Sequence, residues 1–147
     1  MLFYQTEFRK KKYLCKKNNM SEQSEYWIGI AEYDIETAKA MFVSKRFLYV
    51  GFMCHQAIEK TIKAYYCTMK NETPPFTHNL KSLAERCSLL VLFSDEQLDF
   101  IEEILPMNIE ARYPTHKEML FRLLTPQKCK EIIQQTELLC QWIKQRL

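Results

Sequence analysis

"HQAIEKTIKA", residues 55–64, sets three charged side chains and a glutamine into an otherwise apolar stretch. Worked outward, the helical period predicts one helix over about residues 45–70, with Phe47, Val50, Cys54, Ile58, Thr61 and Tyr65 as its apolar stripe. At about 100° per residue, Gln56, Glu59, Lys60 and Lys63 gather on the opposite side, with His55 at the edge of the group. A solvated row of charges would explain them, and so would a site. As a surface pair, Glu59 four residues before Lys63 is the favourable order and contributes only ~0.2–0.5 kcal/mol. Leu48, Phe52 and Tyr66 interrupt this polar side, and apolar groups on a wet face imply that something covers it, such as a second subunit.

The rest of the chain agrees with helices. Its 147 residues suffice for one core, and two glycines with five prolines leave little for hairpin turns or phosphate-cradling loops, so an all-α domain is expected. Ser21 or Ser24 is expected to cap a helix running to Val43, with Trp27, Ala31, Ile35, Ala38 and Phe42 on one face. After the break at "NETPPFTH", a shorter helix is predicted from Thr77 to about Leu90. "SDEQ" from Ser94 is a capping-box pattern opening a fourth helix, with Leu98, Ile101 and Leu105 inward and Pro106 ending or kinking it. Periodicity fixes no role for "NIEARYPTHKEML". Thr125 followed by Pro126 opens the last helix, with Cys129, Ile132, Thr136, Leu139 and Ile143 facing the core.

The formal charge of +3 is unevenly spread. Residues 1–19 hold six cations (Arg9, Lys10, Lys11, Lys12, Lys16, Lys17) against Glu7, which leaves the remainder at −2. A basic, flexible, solvated tail is expected over residues 1–20 and a helical domain over 21–147, and the sequence after Met20 reads like a natural translation start. No secretory signal is apparent, so a cytoplasmic location is expected. The longest stretch without Lys, Arg, Asp or Glu in the strong helices, Phe47 to Ile58, is 12 residues, too short to span a bilayer.

Six cysteines without a C-x-x-C pair read as reduced core thiols, and His55, His78 and His116 show no metal-binding spacing, so neither a metal nor another cofactor is expected. The chain contains no Walker, G-x-S-x-G or Rossmann glycine motif, which sets aside phosphate-loop NTPases and serine hydrolases.

Asp34-Ile35 with Ala38, then "HQAIEKTIKAYY", "THNLKSL" and "EARYPT", together resemble the HEPN family (higher eukaryotes and prokaryotes nucleotide-binding) over about residues 25–145, in its RYP-bearing branch. Gln56, Ala57, Glu59, Lys60, Lys63 and Ala64 match its Q-A-x-E-K-x-x-K-A pattern, and Arg112, Tyr113 and Pro114 its RYP. The resemblance implies an up-down four-helix bundle with an additional short helix, commonly a homodimer around a shared cleft. Members include metal-independent ribonucleases, often toxins of toxin–antitoxin pairs, that carry R-x(4–6)-H. Others are non-catalytic partners of nucleotidyltransferases. Here the nuclease histidine would fall at Lys117, Glu118 or Met119, whereas His116 is one residue short and Tyr113 replaces the usual small polar residue.

The reading favoured by these residues is a dimeric nucleotide- or RNA-contacting accessory module beside a separately encoded nucleotidyltransferase. Lys60 and Lys63 would hold phosphate, His55 and Gln56 would meet sugar or base, Glu59 would orient a basic neighbour, and Tyr113 would stack on a base. The alternative is a ribonuclease with an antitoxin partner, Arg112 stabilising phosphorane charge and His116 transferring protons. Arg112 could instead make a structural contact to Glu59 or Asp34, with His116 on the surface and His78 a packing and hydrogen-bonding residue. A purely structural interaction protein is the third class.

Overall fold

The computed structural model describes residues 20–108 and 114–147, with the side chains of residues 20, 21 and 114–116 left aside. Six α-helices make up the described fold: α1 Met20–Val43, α2 Phe47–Lys70, α3 Leu80–Arg86, α4 Asp95–Ile104, α5 Pro114–Leu123 and α6 Pro126–Lys144. Short 3₁₀ turns at Leu90–Leu92 and Leu105–Met107 join them. The expected all-α bundle is the fold. The tail expected over residues 1–20 falls almost wholly on residues 1–19, outside the described residues.

The chain reverses between α1 and α2 in three residues. Lys45 takes a left-handed φ of 58°, which lets the Arg46 N–H reach back to the Met41 carbonyl at 2.8 Å. The resulting hairpin is the most extensive packing in the molecule, and α6 lies against another side of α2. The expected apolar stripe holds: Val50, Cys54, Ile58, Thr61 and Tyr65 are buried, meeting Cys129, Ile132, Leu139, Cys140 and Ile143 of α6 in one core. Gly51 lets α2 lie close to the turn after α4, since a Cβ there would lie 2.7 Å from Met107 Sδ and that side chain would have to shift.

Local signals set several boundaries as expected. Ser94 and Gln97 complete the capping box of α4, Thr125 accepts from the Lys128 N–H with Pro126 at the first turn of α6, and α4 gives way to a 3₁₀ turn containing Pro106. Others differ. The first helix begins at Met20, ahead of both serines, and Ser24 instead donates its hydroxyl across to the Ala64 carbonyl at 3.1 Å. The third helix spans Leu80–Arg86 rather than Thr77 to Leu90, because Asn79 caps it by accepting from the Ser82 N–H and because Ser88 takes a left-handed φ of 61°. The segment without legible periodicity is helical from Pro114, with proline at the position where its missing N–H costs nothing. Only Leu120 of residues 117–123 is buried, while Met119, Phe121 and Leu123 are exposed, so no spaced apolar stripe announces α5.

The five described cysteines are buried and form no disulfide with one another, and burial pushes the thiols of Cys54 and Cys140 up to about 12. They behave as core thiols. Among the described residues no helix is long and apolar enough to cross a membrane.

Candidate functional site

The polar side of α2 is not a solvated row. His55 and Glu59 are 0% and 1% exposed, Lys63 is 6% exposed, and Gln56 and Lys60 are half-buried. What covers them is the chain itself: α1 from one side, and the connector before α3 from another. Leu48 and Tyr66, which interrupt this side, are buried in the same core, whereas Phe52, the third, is half-buried.

Two connected groups form here. In the first, Lys60 Nζ lies 3.6 Å from Asp34 Oδ2 of α1 and donates to Gln56 Oε1 at 2.5 Å, while Gln56 Nε2 donates to Asn108 Oδ1 at 2.7 Å. The chain of contacts therefore runs from α1, across one turn of α2, to the last residue described before the segment carrying Arg112 and Tyr113. In the second, Lys63 Nζ donates to Glu59 Oε1 at 2.8 Å, and His78 Nδ1 sits 3.0 and 3.2 Å from the two Glu59 oxygens. Lys63 also lies 5.2 Å over the Trp27 ring, two turns along α1 from Asp34.

Local electrostatics sort these carboxylates. Burial works to raise the Glu59 pKa, but the hydrogen bond and charge of Lys63, the hydrogen bond of His78 and the charge of Lys60 together hold it below the usual value. Glu59 is thus an ionised acceptor. Asp34 goes the other way, because burial raises its pKa by more than Lys60 lowers it, with the charge of Glu59 adding to the rise. Burial also drives His55 down to about 4, against the pull of Glu59 3.9 Å away, so its imidazole is neutral. Neither ring nitrogen of His55 has a hydrogen-bond partner among the described residues.

Of the residues singled out by sequence, His55, Gln56, Glu59, Lys60 and Lys63 come together on this one face, and the solvated-row reading of them is corrected by their burial. Arg112 and Tyr113 lie outside the described residues, as does the side chain of His116. Glu59 orients basic neighbours, as its type suggested, and His78 is the hydrogen-bonding residue expected, just before α3 rather than in its first turn. Asn108 was not foreseen, because no spacing links it to Gln56, 52 residues earlier.

Chemically, this arrangement is internally balanced, with two carboxylates facing two ammonium groups around a neutral imidazole. It offers positioned hydrogen-bond groups rather than surplus positive charge. No group of three or more His, Cys, Asp or Glu gathers as metal ligands among the described residues. A groove of ≈ 430 Å³ between α1 and α6, lined by Ile28, Ala31, Ile35, Thr61 and Cys140, shares no side chain with this cluster.

The HEPN domain model matches residues 24–146, and the chain belongs to the HEPN family. The fold is also similar to that of TT1696 from Thermus thermophilus, whose crystal structure aligns with a TM-score of 0.72 and 15% identity, covering 85% of this chain and 98% of that one. No curated protein matches the sequence.

Proposed function

We propose that this chain is a nucleotide- or RNA-contacting accessory module, dimeric, which works beside a separately encoded nucleotidyltransferase. The observation that carries the reading is the linked run Asp34, Lys60, Gln56 and Asn108, because it ties the family pattern on α2 to the approach of the segment holding Arg112 and Tyr113. Arg112, Tyr113 and Pro114 are taken as the mark of the RYP-bearing branch, residues 21–147 as the domain and residues 1–20 as a basic appendage that adds non-specific attraction for polyanions. Phosphate would be met by Lys60 and Arg112, while Glu59 and Lys63, buried against each other, form the floor beneath Lys60. His55 supports that floor rather than touching ligand, since it is wholly enclosed.

Of the described histidines, His55 is set aside as an acid or base. His55 is neither reachable nor poised near neutral pH. The competing reading, a metal-independent ribonuclease using Arg112 and His116 under the control of an antitoxin, draws on the helical backbone from Pro114, which puts His116 in the first turn of α5.

Thermal unfolding of the full chain with and without nucleotides and short RNA tests the first reading. Stabilisation that is lost in Lys60→Ala, with no RNA cleavage in EDTA, is the expected result, together with co-purification of a nucleotidyltransferase on expression from the native locus. Cleavage in EDTA that disappears in both Arg112→Ala and His116→Ala would replace it with the nuclease.

A further inference from the structure

The connector between α2 and α3 puts an aromatic ring in the open beside an oriented imidazole. Phe76 is 96% exposed, and its ring contacts that of His78 edge-on, with centroids 5.9 Å apart and planes at 65°. The connector is shaped from both ends. Pro74 is buried, the Thr77 N–H donates to the Pro75 carbonyl at 3.0 Å, and Thr77 Oγ1 accepts from the Asn79 N–H at 3.2 Å before Asn79 caps α3. So exposed a phenyl ring gains nothing from folding, yet the backbone that carries it is held by these bonds before any ligand arrives, and such preorganisation lowers the cost of binding.

The imidazole is fixed too. Glu59 is buried, ionised and tied to Lys63, and a carboxylate can only accept, so Nδ1 of His78 carries the proton it shares with Glu59. In the neutral ring Nε2 is then the lone-pair side, on a side chain that remains 51% exposed. Glu59 dictates the tautomer in the way a second carboxylate partner does for an active or metal-bound histidine.

We propose that Phe76 and His78 form a ribose-selective contact for single-stranded RNA, in which a base stacks on Phe76 and Nε2 of His78 accepts the hydrogen bond donated by the ribose 2′-hydroxyl. An aromatic face accepts any base, and the 2′-hydroxyl separates RNA from DNA, so this contact supplies sugar discrimination without sequence preference. The inference rests on the nucleic-acid reading above and specifies its ligand as ribo- rather than deoxyribo-oligomer.

The test compares affinity of the full chain for a uridine decamer and a deoxyuridine decamer, which differ only in the 2′-hydroxyl. The wild type is expected to favour the ribo-oligomer by about fivefold, the range of one neutral hydrogen bond. His78→Ala should erase that ratio, and Phe76→Ala should weaken both oligomers by about tenfold or more. Amide spectra of both variants check that the fold persists, which the exposure of Phe76 makes secure for that variant. Equal affinity of the wild type for the two oligomers, or a ribose preference that survives His78→Ala, overturns the proposal and leaves the broader reading intact. No binding to either oligomer overturns both.

Discussion

The two flanks of α2 are both largely buried and held by different physics. Toward α6, Cys54, Ile58 and Tyr65 are enclosed by apolar side chains and thiols. Toward α1 and the α3 connector, Glu59 and Lys63 are enclosed just as fully, with Asp34, Lys60 and His78 as partners. On the first flank stability follows volume and tolerates approximate substitutes. On the second it follows pairing, because a charge stranded out of water costs far more than a missing methylene. A helix that is buried on almost every side can therefore still carry Glu59, Lys60 and Lys63, because each meets an opposite charge, while His55 is carried as a neutral ring.

The sharpest way to break this contrast is Glu59→Leu, which leaves the Lys63 ammonium buried without its carboxylate. A loss of about 3–5 kcal/mol is expected by urea unfolding. Glu59→Leu combined with Lys63→Met should recover most of that loss, since the pair as a whole is replaceable where either half is not. Failure of the double variant to recover would mean that the flank depends on volume like its opposite. Ile58→Ala, on the apolar flank, is expected to cost about 2–5 kcal/mol, with no compensating charge change available.

Acid should separate the flanks as well. His55 has a folded-state pKa of about 4 against 6.5, so its contribution is complete above pH 6.5 and is lost as pH falls toward 4. The expected loss over that window is of the order of 3 kcal/mol. Glu59, whose folded pKa is lowered, adds a further loss only below about 4.5, whereas Asp34, whose folded pKa is raised, contributes stability below 3.8 that fades as pH rises. Chemical denaturation of His55→Leu at pH 7 and pH 5 should show the intermediate slope abolished, and an unchanged slope would place the acid sensitivity elsewhere. The smallest effect concerns α1, where a Cβ on Gly29 would meet nothing within 4 Å. Gly29→Ala is expected to stabilise by about 0.5–1 kcal/mol through helix propensity alone, seen as a modest rise in Tm.

Much of the architecture could be read from the chain itself. The serine and glutamine of the α4 capping box, the Thr125-Pro126 start of α6 and the spaced apolar residues of α1 and α2 are local or periodic signals, and each acts over a turn or two of backbone. The family pattern on α2 was legible for the same reason, since its residues sit within ten positions. The start of α3 was misread because Thr77 and Asn79 are both competent caps, and only the fold of the proline connector selects Asn79. The helix at Pro114 carries no periodic signal because its apolar residues cluster in sequence instead of recurring at helical spacing.

What the sequence determined by itself was therefore angular: which side of α2 each residue occupies, and hence that His55, Gln56, Glu59, Lys60 and Lys63 share one. Whether that side faces water was decided by tertiary structure, when α1 delivered Asp34 and Trp27, the α3 connector delivered His78, and the turn after α4 delivered Asn108. Helical periodicity fixes direction from an axis but not what lies in that direction, and a lysine reads the same in solvent as beside a buried glutamate. Burial is what turned an ordinary i, i+4 pair into an enclosed ion pair.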